Sequence, residues 1–144
     1  MNEKSLTVSF NVNNNDIDYI TKKVIAYNAE NFPSVSETAG KDLNIIVKDE
    51  SGIIIGGIIC IYYVFCLYIR LLWVDNLYRG MKLGSHLLSE VEKTARENGC
   101  RMMHTDTFGT RSLGFYTKRG FEVFGTLDGY PDNVKHFYLK KLLF

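Results

Sequence analysis

Between Trp73 and Lys93 the chain reads WVDNLYRGMKLGSHLLSEVEK: an apolar run stops, a basic turn with two glycines follows, and a helical pattern starts after Gly84. The first N–H groups of an α-helix have no partner inside the helix and carry the positive end of its dipole. A short turn with glycines lets a phosphate approach those groups, and Arg79 and Lys82 add positive charge. YRGMKLGSH therefore reads as a phosphate cradle, with an ordinary βα turn carrying basic residues as the plainer alternative. The order is neither G-x-x-x-x-G-K-[ST] nor G-x-G-x-x-G, so neither a kinase loop nor a dinucleotide fold is supported. Further on, His104 and Asp106 share one face of CRMMHTDT by the two-residue alternation of a strand, and either could carry a proton. A structural histidine and a helix-capping aspartate are the competing readings.

These residues need elements to position them. LTVSFNV (Leu6–Val12) alternates like a first strand, and Asn14, Asn15 and Asp16 are cap candidates for a helix carrying Ile17, Ile20, Val24 and Tyr27 at helical spacing. Pro33 closes that helix, and SVSETAGKD reads as a loop or a short second helix. Asp49–Gly52 lies between two β-branched runs, which is a hairpin signal. The junction near Val64–Cys66 carries no Gly, Pro or Asn to mark a turn. Leu87, Leu88, Val91 and Ala95 form one apolar stripe on a helix that Asn98-Gly99 terminates. A strand, a helix from Thr110 to Arg119 stopped by Gly120, and two strands in FEVFG and KHFYLKKLL complete the chain. The order β-α-β-β-β-α-β-α-β-β, with no repeat or linker, predicts one α/β domain over residues 1–144.

The stretch LYIRLLWVDNLYRGMKLGSHLL resembles motif A of the GCN5-related N-acetyltransferases (the GNAT superfamily), [QR]-x-x-G-x-[GA], with Arg79, Lys82 and Gly84 on its marked positions. FYTKRGFEVFG resembles that superfamily's F-Y-x-x-x-G-F motif. LLWV, GC…DTF and the tail LDGYPDNVKHFYLKKLL are similar to a bacterial subgroup of mostly unassigned substrate. The resemblance spans Leu43 to Leu143. It implies a central mixed sheet of about seven strands flanked by helices, with a splayed strand pair holding acetyl-CoA. It implies that the backbone of Arg79, Gly80, Met81, Lys82, Leu83, Gly84 and Ser85 binds the pyrophosphate. Leu72, Trp73 and Val74 would pair with the pantetheine arm, since unpaired strand groups are strong hydrogen-bonding partners.

The reaction so implied is direct attack of a primary amine on the thioester in a ternary complex. Tyr116 matches the usual general acid, because a phenol with a pKa near 10 is protonated at neutral pH; a core tyrosine is the plainer reading. The oxyanion donor would be the N–H of Trp73 or Val74. The base stays open. Well-known members carry a Glu where this chain has Tyr68, a poor base at neutral pH, leaving Asp106, His104 or a water chain. Two positions depart from the family pattern: Lys82 replaces a glycine, and Gly109 stands where an asparagine often opens the helix. Lysine in a left-handed conformation costs on the order of 1 kcal/mol, although its ammonium could also reach the pyrophosphate. A catalytically idle acyl-CoA-binding or sensor domain of the same fold is the alternative function.

Composition narrows the rest. A formal net charge of +1 gives no case for nucleic acid or anionic membrane. Ile53 to Ile69 carries no charge, but Gly56-Gly57 and Arg70 interrupt it, and its Ile, Val and Tyr suit buried strands better than a span. Cys60, Cys66 and Cys100 form no C-x-x-C pair and read as buried thiols of a reducing compartment. None lies near the loop or beside a histidine, which disfavours ping-pong transfer. No metal is expected, and a cytoplasmic location follows. The resemblance places the acceptor amine, on a small molecule or peptide, between Tyr27–Asp42 and Asp128–Asn133. Glu30, Glu37, Asp42, Asp128 and Asp132 give those stretches an acidic bias, or are simply solvated. Homodimerisation is common among relatives.

Overall fold

A computed structural model describes residues 5–35 and 40–144. The chain divides into two compact units, Met1–Thr38 and Ala39–Phe144. Glu37, and with it the middle of SVSETAGKD, lies outside the described residues.

In the first unit, Leu6–Val12 is not a strand. Alternation supplies a two-faced ribbon but no neighbour for its N–H and C=O groups, and an isolated strand has no ladder to stabilise it. Helix α1, Asn14–Asn31, follows. Its cap is Asn13, one residue earlier than the sequence suggests. Asn13 Oδ1 accepts from Asp16 N and Asp16 Oδ2 accepts from Asn13 N, both at 3.0 Å, a reciprocal capping box. The helix stops at Asn31, and a single 3₁₀ turn spans Pro33–Val35.

The second unit is built on a six-stranded sheet in the order β1-β2-β3-β4-β6-β5. Its strands are β1 Lys41–Lys48, β2 Ile54–Tyr63, β3 Cys66–Val74, β4 Met102–Phe108, β5 Glu122–Leu127 and β6 His136–Leu142. The seventh strand expected at Leu6–Val12 is the one not formed. β3 and β4 are parallel and every other pair is antiparallel, so the crossover between them carries helix α2, Leu83–Glu97. Helix α3, Thr110–Thr117, joins β4 to β5. The predicted stripe of Leu87, Leu88, Val91 and Ala95 is the buried face of α2. It packs with Tyr116 and Phe121 on Ile58, Leu67, Ile69, Met103 and Leu139 of the sheet.

Two local features decide the sheet's shape. The unmarked junction between β2 and β3 is a two-residue turn in which Val64 and Phe65 both have positive φ, 48° and 60°. That is the backbone a tight hairpin needs, taken here without glycine or asparagine. Gly57, in mid-strand, has a packing reason: a Cβ there would stand 2.8 Å from Ile46 Cδ1 and 2.9 Å from the Ile45 carbonyl oxygen.

Candidate active site

Pairing between β3 and β4 runs only from Cys66 with Met102 to Ile69 with Thr105. The register with β2 explains why it stops there. Ile59 pairs with Leu71 and Cys60 with Ile69, which leaves Arg70 as an extra residue in β3. Such a bulge bends its strand and strengthens the local twist. Beyond it, β3 stays on β2 and β4 stays on β6, so the two strands fork. The fork opens a cleft of about 690 Å³. Leu72, Trp73 and Val74 line one wall and Thr105 to Phe108 the other, with the basic turn at one end and Tyr116 among its lining.

The basic turn reaches α2 with an open helix end. Asp75 holds a short 3₁₀ turn, Asn76–Tyr78, by accepting from Leu77 N at 2.9 Å. Arg79 folds back, its Nε donating to the Val74 carbonyl at 3.1 Å. Gly80 takes φ +89°. Lys82 is the N-cap of α2 in the left-handed region, φ 61° and ψ 20°, and makes no side-chain cap. The lysine at the family's glycine position is therefore backbone-strained, and among the described residues no side chain caps the first N–H groups of α2. Gly84 is not left-handed. Its missing Cβ faces the Phe115 ring, which a Cβ would meet at 3.4 Å, so this glycine serves helix packing.

Arg119, which the sequence reading missed, completes this end. It hydrogen-bonds the Ser85 hydroxyl, donates to the Phe115 carbonyl at 2.7 Å, and lies 3.8 Å over the Phe115 ring. Arg111 also lines the cleft. Its only sequence signal was a basic residue at the start of the helix that carries Tyr116.

Tyr116 sits at the crotch of the fork. It is 5% exposed, and the neighbouring Thr105, 3% exposed, donates from Oγ1 to the Ile69 carbonyl at 3.0 Å. Burial raises the Tyr116 phenol above its ordinary value, and hydrogen bonding with Thr105 offsets part of that rise. The phenol is a proton donor at neutral pH. Cys60, buried nearby, is pushed up to about 12 by burial and is no nucleophile at neutral pH.

Across the sheet from Tyr116, alternation turns Asp106 to the other face. Tyr68 donates to Asp106 Oδ1 at 2.5 Å, and His136 Nε2 lies 2.7 Å from Asp106 Oδ2. The Tyr130 hydroxyl is 3.3 Å from His136 Nδ1. The hydrogen bond to Asp106, with burial second, lifts the Tyr68 phenol to about 12. Tyr68 is thus a donor to Asp106. His104 stacks on Tyr68 with centroids 4.8 Å apart, and burial lowers its pKa while Asp106 opposes the shift. Asp106 does not cap α3, whose N-cap is Gly109 at φ 78°. His136 was also missed by the sequence reading, because only the β4–β6 register brings it beside Asp106. Among the described residues no group of three or more His, Cys, Asp or Glu could hold a metal ion. Among them, too, no helix is long and apolar enough to cross a membrane.

Residues 14–121 match the acetyltransferase (GNAT) family. The chain belongs to the GNAT acetyltransferase family. Among GNAT relatives, it is 32% identical over 108 residues to acetyltransferase Atu2258 of Agrobacterium fabrum, covering 75% of this chain and 77% of that protein. It is 34% identical over 95 residues to blasticidin-S acetyltransferase of Streptomyces morookaense, covering 65% and 70%. A crystal structure of an acetyltransferase from Bacillus cereus superposes with a TM-score of 0.82 at 32% identity, over 95% of this chain and 98% of that one. A Bacillus anthracis protein solved in complex with acetyl coenzyme A shares the GNAT fold at 20% identity, TM-score 0.63, over 78% of this chain and 68% of that one. The chain is an acyltransferase by family, and the forked strands, the open helix end and the buried phenol are the parts of it that could act.

Proposed function

We propose that this chain transfers the acetyl group of acetyl-CoA to a primary amine of a small molecule or peptide, by direct attack in a ternary complex. The observation that carries this reading is the fork between β3 and β4. It joins an uncapped helix end to a buried phenol through a strand edge with no partner. The residues fit the co-substrate. Lys82 leaves the first turn of α2 without a side-chain cap, and a Cβ at Gly80 would meet nothing within 4 Å, so the approach is open. The acetyl-CoA complex of the Bacillus anthracis protein and the name of the Streptomyces relative support the co-substrate and a small-molecule acceptor respectively.

Acetyl-CoA supplies an acyl group already activated as a thioester. The N–H groups from Arg79 to Ser85 bind the pyrophosphate, helped by the Lys82 ammonium. Leu72, Trp73 and Val74 hold the amide arm as a neighbouring strand would be held. The N–H of Trp73 or Val74 donates to the carbonyl oxygen as charge develops there. Tyr116 holds a proton at Oη for the departing sulfur. Asp106, with its carboxylate on the opposite face from Tyr116, serves the acceptor amine.

A thermal-shift titration with acetyl-CoA, CoA and ATP, followed by thiol release against an amine panel, tests this. Both CoA species should raise Tm, ATP should not, and thiol release should depend on the amine. Stabilisation by neither CoA species overturns the reading. Tight CoA binding without turnover of any amine, and no effect of Tyr116→Phe, would leave an idle acyl-CoA binder.

A further inference from the structure

Resting on that reading, we propose that Arg119 is a positioning residue that ties the phosphate end of the cleft to the Tyr116 phenol. It acts on the first through the Ser85 hydroxyl and on the second through the end of α3.

Arg119 is half-buried and lines the cleft. Its side chain holds both helices at once. Nη2 donates to Ser85 Oγ in the first turn of α2, and Nη1 donates to the Phe115 carbonyl in the last turn of α3 at 2.7 Å. The backbone N–H of Arg119 donates to the Tyr116 carbonyl at 3.0 Å. The carbonyls of Phe115 and Tyr116 are thus both held by the same residue. The guanidinium also lies 3.8 Å over the Phe115 ring, and that ring is the one a Cβ on Gly84 of α2 would meet. Helix α3 has only eight residues and no basic residue in its last turn, so Arg119, just past its end, supplies the cation its terminal carbonyls favour.

The contact with Ser85 has a chemical consequence. A serine hydroxyl has one proton to give and two lone pairs to receive with, whereas a guanidinium only donates. The bond from Arg119 therefore fills an acceptor position and leaves the Ser85 proton to point elsewhere. Among the described residues no protein group accepts that proton. A cation on the oxygen also polarises the O–H and makes it a stronger donor to an anion. On the acetyl-transfer reading, that anion is the pyrophosphate on the N–H groups of α2. A cap on α3 alone would predict only a loss of stability. The link to Ser85 predicts that affinity and turnover both depend on this one side chain.

Titration calorimetry with CoA reads the first tie and needs no acceptor amine. Ser85→Ala and Arg119→Leu should each weaken CoA binding about fivefold. The double variant should stay within about twofold of either single one, because both changes remove the same contact. Steady-state thiol release from acetyl-CoA, with the amine of the panel above that the wild type turns over fastest, reads the second tie. Arg119→Leu should lower kcat about tenfold, as a displaced acid does, while Ser85→Ala keeps kcat within about twofold. Arg119→Lys, run in parallel in case Arg119→Leu does not fold, keeps the charge but has no fork, so it should recover at most one of the two losses. Three results overturn the proposal. Losses that multiply in the double variant would place Arg119 on the phosphate directly. An unchanged kcat in Arg119→Leu, with or without a lower Tm, would leave it a cap on α3. Recovery of both losses by lysine would make its charge alone sufficient. Absence of CoA binding by the wild type overturns the underlying acetyl-transfer reading instead.

Discussion

The Thr105 hydroxyl donates to the Ile69 carbonyl across 3.0 Å at the last register position where β3 and β4 still pair. One residue further along β4 stands Asp106, on the opposite face. A single step of the strand thus separates the side holding the Tyr116 phenol from the side holding the Asp106 carboxylate. Thr105 and Ile69 close the fork between them, so the phenol and the carboxylate lie on different faces of the sheet at that point.

Tyr116→Phe should reduce thiol release by about two orders of magnitude or more, the usual scale of a lost general acid. The KM for acetyl-CoA should stay within about twofold, since in the proposed reading residues other than Tyr116 hold the arm and the pyrophosphate. Matched kinetics and a melting curve check this. Undiminished turnover would return Tyr116 to the role of a core residue.

Lys82→Gly removes a left-handed lysine at the α2 N-cap. The relief of about 1 kcal/mol is close to the extra chain entropy of glycine, so Tm of the free protein should not fall. If the ammonium reaches the pyrophosphate, the variant should bind acetyl-CoA more weakly, and the gap should shrink as salt is added. Binding titrations at two ionic strengths read this. Equal or tighter binding at low salt would show that the lysine contributes no contact.

Gly57→Ala places a Cβ 2.8 Å from Ile46 Cδ1 and 2.9 Å from a backbone oxygen that cannot swing away. Overpacking of this kind should cost about 1–3 kcal/mol, read as a lower denaturant midpoint at unchanged slope. An unchanged midpoint would mean that β1 can shift away from β2 without penalty.

The Tyr68 phenol, raised to about 12 by its bond to Asp106, favours the protonated form in the folded state. Stability from this pair is therefore complete below the unfolded value near 10 and is lost as pH rises from there through about 12. Ultraviolet titration of Tyr68→Phe should show one late-titrating phenol fewer than the wild type, and the variant should lose less Tm across that range. His104 works in the opposite sense. Burial lowers its pKa, so its contribution is present above about 6.5 and falls away as the solution is acidified below that.

The strand, basic turn and helix around Arg79 were legible because they lie in consecutive residues. The stripe on α2 and the glycine stops were legible for the same reason. The β2–β3 turn was not, since Val64 and Phe65 take left-handed backbone that composition gives no reason to expect there. Leu6–Val12 misled because alternation describes faces and cannot supply a pairing neighbour. His136 and Arg119 escaped for a third reason. They reach Asp106 and Ser85 across 30 and 34 residues, through a strand register and a helix orientation that exist only once the sheet has formed.

Arg70, the one residue of β3 that pairs with nothing on β2, also acts as the zero mark of a ruler. From it to Val74 the strand edge has no β4 partner among the described residues over a length of about 13 Å at the usual rise per residue. The end of α2 without a side-chain cap and Thr105, at the last register pair, both line the cleft along this edge. If acetyl-CoA binds as proposed, its arm must span that free edge for the thioester to reach Tyr116. On that reading the backbone of β3, and not a side chain, sets the length of carrier the cleft accepts.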